Sequence, residues 1–165
     1  MRKLLSTDID GTLLFNAAIS QDDLDAMTRW RDAGNLLVPN TGRSVAALHS
    51  ALSGSDLAFD YSVLYTGAAL TDGGYDVLEA RTLPDGLAEE ILDLLEGEAG
   101  VTVFATTLEG DLQLYDSIGS DTALLTLFSR ASRVDLAGRT VVGVPLRIAD
   151  PVLMAHMQAE VARRW

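Results

Sequence analysis

The sequence predicts an α/β fold built on a parallel sheet, and three observations carry that prediction. Residues 4–7, Leu-Leu-Ser-Thr, form a short apolar run that breaks at Asp8-Ile9-Asp10-Gly11. A helical pattern fills the interval before a second apolar run, Leu36-Leu37-Val38. A strand, a helix and a strand within roughly thirty to forty residues make a βαβ unit, whose strands are parallel and whose crossover is right-handed.

Each element has its own local signature. Side chains alternate faces along a strand, so Asp8 and Asp10 project to one side where the first strand ends. Leu13 to Ile19 shows no periodicity and is expected to be a linker. Ser20 with Asp23 makes a capping pair, Leu24, Met27 and Trp30 form an apolar stripe, and Gly34 is placed to stop the crossover helix. The second strand runs into Pro39-Asn40-Thr41-Gly42-Arg43, after which Val45, Leu48 and Leu52 recur at helical spacing until Gly54. Asp60 to Tyr65 reads as a third strand, and Asp72-Gly73-Gly74 as the turn of a hairpin between Ala69-Leu70 and Val77-Leu78.

At Arg81 to Pro84 the pattern changes, which sets a boundary between a first domain, 1–81, and a second, 82–165. Pro84 and Asp85 open a helix with Leu87, Ile91, Leu94 and Leu95 on one face. Val101 to Thr107 and Leu112 to Asp116 read as an antiparallel pair turning at Glu109-Gly110-Asp111. A helix over Thr122 to Ala131, a strand over Thr140 to Ile148 and a last helix begun by Asp150-Pro151 complete the chain.

Composition narrows the function. The chain has 165 residues, 48% hydrophobic and 22% charged, which is enough for one sizeable core or two small ones. A formal charge of -12 repels polyanions, so no nucleic-acid or anionic-membrane partner is expected. There is no cysteine, which rules out disulfides and thiolate metal sites. The apolar run after Arg2 and Lys3 is broken by Asp8 and Asp10, so it is no signal peptide, and a cytoplasmic protein is the expectation.

The chemistry-bearing residues lie at the two strand ends. Two carboxylates held as close as those of Asp8 and Asp10 repel unless a cation or a shared proton sits between them. Followed by Gly11 and Thr12, the pair points to a hard cation with oxygen ligands, most simply Mg2+. Thr41, at the start of a helix with free backbone N–H groups, makes a phosphate cradle. His49 and His156 stand alone and read as surface or helix-face residues, and Glu89, Glu90, Asp93, Glu96 and Glu98 as a solvated helix face.

Asp8-Ile9-Asp10-Gly11-Thr12-Leu13 resembles the first motif of the haloacid dehalogenase (HAD) superfamily of aspartate-nucleophile phosphatases. Thr41-Gly42-Arg43 resembles the second motif in the form used by the Cof-like branch, subfamily IIB. The order of elements after Pro84 is similar to the α/β cap which that branch inserts between its second and third motifs. The resemblance implies a partial Rossmann-like core with a parallel sheet over 1–81 and an inserted α/β cap domain over 82–165. It also implies that Asp8 attacks phosphorus, that Asp10 acts as acid and base, and that Asp8 and Asp10 hold Mg2+. Gly11, Thr12, Thr41, Gly42 and Arg43 would then contact the phosphoryl group. The expected activity is Mg2+-dependent hydrolysis of a sugar phosphate or similar small phosphomonoester through an aspartyl-phosphate. Thr66-Gly67-Ala68 departs from the Asn-Gly-Ala usual in that branch.

The family's third motif, a Lys or Arg beside the phosphate, and its fourth, a strand ending in Gly-Asp, have no match. Gly110-Asp111 fits one spacing of the fourth, but the alternation of Leu112 and Leu114 with polar neighbours reads as a hairpin. The single lysine, Lys3, lies on the first strand. In the family that strand is central, so here Leu4 to Thr7 is expected to be a bare parallel edge. Two expectations follow: a fragment of a longer gene product, or a homo-oligomer in which a second chain covers the edge. The rival to the phosphatase reading is a truncated, catalytically incompetent phosphate-binding or interaction module.

Overall fold

Parallel strands joined by one crossover helix organise the start of the computed structural model, which describes residues 1–119 and 125–164. Strand β1 (Leu4–Thr7) leads through a hairpin, β2 (Leu14–Phe15) and β3 (Ala18–Ile19), into helix α1 (Gln21–Asp32) and then β4 (Leu36–Pro39). β1 and β4 pair in parallel with Leu4 opposite Leu36 and Thr7 opposite Pro39. The crossover is held as its sequence requires. The Ser20 hydroxyl accepts the Asp23 N–H at 3.2 Å, Met27 faces the core, and the Trp30 indole N–H donates to the Leu36 carbonyl at 2.8 Å.

The hairpin corrects the expected linker at Leu13 to Ile19. Its two-residue turn, Asn16-Ala17, has φ of 51° and 60°, the backbone of the type I′ turns that match strand twist. Glycine at the second position would have announced it, and alanine hid it.

Helix α2 (Val45–Leu52), capped by the Ser44 hydroxyl, follows β4 and buries Ala47, Leu48 and Leu52. β5 (Tyr61–Leu64), β6 (Ala69–Asp72) and β7 (Val77–Ala80) form an antiparallel sheet, and β5 meets the end of β4 through a parallel bridge between Asn40 and Val63. Ile9, Leu37, Leu48 and Leu64 are fully buried. These elements form one compact unit, Met1–Thr82.

A second unit spans Leu83–Trp165. Helix α3 (Leu87–Leu95) precedes the long strand β8 (Val101–Thr107), which pairs antiparallel with β9 (Leu112–Asp116). Leu87, Ile91 and Leu95 of α3 pack with Val101 and Val103 of β8 and with Met157, so the helical stripe read from sequence forms this unit's core.

Two expectations change here. Positions 122–124 of the helix expected over Thr122 to Ala131 lie outside the described residues. The rest forms a single 3-10 turn, Leu125–Leu127, and then strand β10 (Ser129–Arg130), which pairs in parallel with β9. The strand expected over Thr140 to Ile148 is two, β11 (Val141–Gly143) and β12 (Leu146–Ile148), both antiparallel to β8. Pro145 lies between them, and its missing N–H interrupts the ladder. Helix α4 (Pro151–Arg164) then starts with proline at its first position, and the Asp150 carboxylate accepts the Val152 N–H at 2.8 Å. Among the described residues no helix is long and apolar enough to cross a membrane.

Candidate functional site

The ends of β1 and β4 bring the two sequence motifs side by side. Beyond the last rung, the Asn40 N–H donates to the Thr7 carbonyl at 2.8 Å, so both chains leave the sheet at its carboxyl edge. In open parallel sheets that edge is where ligands bind. Ile9 is fully buried while Asp8 and Asp10 on either side of it are exposed. The chain then turns sharply, with Leu13 and Leu14 donating to the Ile9 carbonyl at 3.0 and 2.8 Å and Gly11 at φ 72°. Gly11 permits that left-handed turn without a β-carbon penalty, and Thr12 stays exposed beside it.

Thr41 follows β4 and is only 4% exposed. Its N–H donates to the Val63 carbonyl at 3.0 Å, and its hydroxyl oxygen accepts the Arg43 N–H at 3.3 Å. The hydroxyl's own proton has no acceptor among the described residues, so it can donate to an anion. Gly42 is exposed, and the chain enters α2 directly after Ser44.

Arg43 ties the two loops together. Its Nε donates to Asp10 Oδ2 at 2.8 Å, its Nη2 to Asp10 Oδ1 at 2.6 Å, and its Nη1 to the Ala47 carbonyl at 2.9 Å. This is a bidentate fork, the strong and geometrically specific form of an ion pair. Its hydrogen bonds hold the Asp10 carboxyl below the usual carboxylate range, with partial burial opposing and charge attraction adding, and they raise Arg43 in turn. Sequence reading aimed Arg43 at phosphate; here its guanidinium grips Asp10. No spacing rule announces that pairing across 33 positions, which exists only because β1 and β4 are neighbours.

The oxygen donors suit Mg2+ in part. The Asp8 carboxylate has no hydrogen-bond partner among the described residues, whereas both Asp10 oxygens are engaged by Arg43. Mg2+ keeps several waters and takes one or two carboxylates plus phosphate oxygens, so Asp8 and a backbone carbonyl fit as a partial set. No cluster of three or more His, Asp or Glu side chains that could hold a metal occurs among the described residues. His49 is exposed and packs edge-on against Tyr75 at 4.4 Å, and His156 is exposed on α4.

Sequence reasoning missed the conformation of the loop after β5. Tyr65 and Thr66 both lie in the left-handed region, with φ of 53° and 58°. Its only signal was threonine at the position where the resemblance expects asparagine.

A family model described as haloacid dehalogenase-like hydrolase matches residues 5–126. Among solved structures, the chain is similar to a haloacid dehalogenase-like hydrolase from B. subtilis, with a TM-score of 0.77 at 16% identity over 99% of this chain and 67% of that one. TM0651 from Thermotoga maritima gives 0.78 at 18% identity over 99% and 62%. The HAD subclass IIB sugar phosphatase BT4131 gives 0.67 at 19% identity over 86% and 56%. The chain thus spans between 56% and 67% of the length of these three structures, and the likeness is one of fold. No curated protein matches the sequence.

Proposed function

The chain belongs to the haloacid dehalogenase-like hydrolases, a family of HAD-superfamily phosphatases, and from that premise we propose that it hydrolyses a small phosphomonoester, such as a sugar phosphate, with Mg2+. In this reading the Asp8 carboxylate attacks phosphorus in line. The P–O bond to the leaving group breaks as Asp10, released from the Arg43 fork and protonated from solvent, gives its proton to the departing oxygen, which leaves an aspartyl-phosphate on Asp8. Water then attacks the same phosphorus, Asp10 takes its proton, and inorganic phosphate leaves with Asp8 restored. The Thr41 hydroxyl and the Gly42 N–H hold the phosphoryl oxygens, since the N–H groups of Gly11, Thr12 and Arg43 donate within the loops themselves. Asp8 and the Asp10 carbonyl would hold Mg2+, which supplies charge neutralisation at those oxygens. Residues 82–165 would be the inserted cap domain of the family.

The observation that supports this reading is the Arg43 fork, which joins the Asp10 turn to the Thr41 loop at 2.6 and 2.8 Å. The same fork favours a second reading, a non-catalytic phosphate-binding module, because it occupies both oxygens of the group that would shuttle the proton. Hydrolysis of p-nitrophenyl phosphate with and without Mg2+, compared with Asp8→Asn, separates the two. The phosphatase reading expects Mg2+-dependent turnover that Asp8→Asn abolishes. Phosphate binding without turnover supports the second reading.

A further inference from the structure

The phosphate cradle depends on a peptide plane whose direction is set from outside the cradle. In a trans peptide the carbonyl and the N–H of one plane point opposite ways. The Thr66 N–H donates to the Thr41 carbonyl at 3.3 Å, which fixes the plane between Thr41 and Gly42 and turns the Gly42 N–H away from the loop after β5. That N–H has no acceptor among the described residues and Gly42 is exposed, so the donor is open to an anion. Beyond Gly42, the Tyr65 N–H donates to the Arg43 carbonyl at 3.0 Å. Two consecutive donors thus grip one segment from both sides of Gly42.

Consecutive N–H groups reach the same neighbour only where the backbone turns between them. Along an extended strand they point to opposite sides. Tyr65, at φ 53°, lies in the left-handed region, where successive N–H groups point the same way as they do in a helix, and Thr66 continues the turn at φ 58° and ψ 34°. That backbone is costly for an aromatic residue and persists only where the surroundings over-determine it. Tyr65 meets the condition. It is buried, its carbonyl accepts the Ala68 N–H at 3.2 Å, and its phenol oxygen accepts the Val45 N–H at 3.5 Å, at the first turn of α2. The side chain therefore anchors to the same stretch of chain that the backbone grips.

We infer that Tyr65 is a positioning residue for the phosphate site: its left-handed backbone, anchored by the buried ring, aims the Gly42 N–H at the phosphoryl oxygens. This role rests on the phosphate-site reading above, requires no contact between Tyr65 and substrate, and falls on a residue outside both matching motifs.

Amide NMR of the whole chain, titrated with inorganic phosphate in the presence of Mg2+, tests it. In the parent the Gly42 amide proton is expected to move downfield as phosphate binds. Tyr65→Phe keeps the ring and the backbone donor and loses only the long phenol contact, so its affinity should stay within about twofold of the parent. Tyr65→Ala should bind about 10-fold more weakly, the scale of one hydrogen bond to a charged group, with a smaller Gly42 shift. Tyr65→Gly deletes still more of the side chain, yet glycine accepts the left-handed backbone, so it should bind about fivefold more tightly than Tyr65→Ala. Loss of packing alone predicts the opposite order. If Tyr65→Ala does not fold, Tyr65→Leu, which carries the same torsional cost and fills more of the space, takes its place in the comparison. Tyr65→Gly binding no better than the alanine or leucine variant, or Tyr65→Ala binding like the parent, overturns the role of Tyr65 and leaves the phosphate site standing. A Gly42 amide that phosphate leaves unmoved in the parent overturns both.

Discussion

Among single residues, the contact of Arg43 with Asp10, at 2.6 and 2.8 Å, has the widest consequences. A guanidinium that forks onto a carboxylate fixes that carboxylate's direction, so Arg43 in this structure is a positioning residue for Asp10. Arg43→Ala should therefore cost about 10²-fold in kcat with KM nearly unchanged, because a misdirected Asp10 slows chemistry and leaves binding intact. Arg43→Lys should recover only part of the loss, since an ammonium cannot fork. A large rise in KM with kcat retained would return Arg43 to the phosphate. The positions of Asp8 and Asp10 were legible in the sequence, because alternation about a buried Ile9 needs no knowledge of the fold. The Arg43 contact was not, because it depends on two strands becoming neighbours.

At the scale of elements, legibility followed chemistry that is local. Ser20 and Ser44 cap the helices they precede, the α3 stripe packs as its period requires, and β8 and β9 have the bounds of the two runs read as an antiparallel pair. Where the signal was a single residue acting through the backbone, it was misread: Ala17 in a left-handed turn, Pro145 inside one apolar run. Ala17→Gly should stabilise the β2–β3 hairpin by about 0.5–1 kcal/mol, seen as a higher melting temperature, because φ of 60° costs alanine and not glycine.

A second element-scale prediction concerns β8 and β9. The Thr102 hydroxyl donates to the Asp116 carboxylate at 2.7 Å, and that bond, opposed by slight burial and helped by the N–H groups of Gly119 and Ile118 and by the charge of Arg130, holds Asp116 below the usual carboxylate range. A depressed carboxylate stabilises the folded state above its ordinary titration range and ceases to as acid protonates it. Thr102→Val should therefore cost about 1 kcal/mol in urea unfolding at neutral pH and less in acid. An equal cost at both pH values would contradict the assignment.

At the scale of the whole molecule, the exposed strand end carries the consequence. β1 pairs only with β4 among the described strands, and Leu4 and Leu5 are 58% and 38% exposed. Such an edge offers unpaired backbone groups to any strand that can approach. The net charge of -12 opposes a second copy, so self-association through β1 should strengthen with salt and weaken in Leu4→Lys. Sedimentation across salt and protein concentration checks this, and a monomer under all conditions would show that no second copy covers the edge. The fold class was legible at this scale because one βαβ unit dictates parallel strands, whereas the exposure of β1 followed from asking which neighbour the sequence supplies.

An Asp8 that accepts the phosphoryl group forms an aspartyl-phosphate that can be trapped. The chain is mixed with Mg2+ and a phosphomonoester, quenched in acid and reduced with borohydride, which converts an aspartyl-phosphate into homoserine. Mass spectrometry of the peptide containing Asp8 then reads the outcome. A nucleophilic Asp8 yields homoserine at position 8 and none in Asp8→Asn; hydrolysis that proceeds with Asp8 unmodified, or that survives in Asp8→Asn, rules that role out.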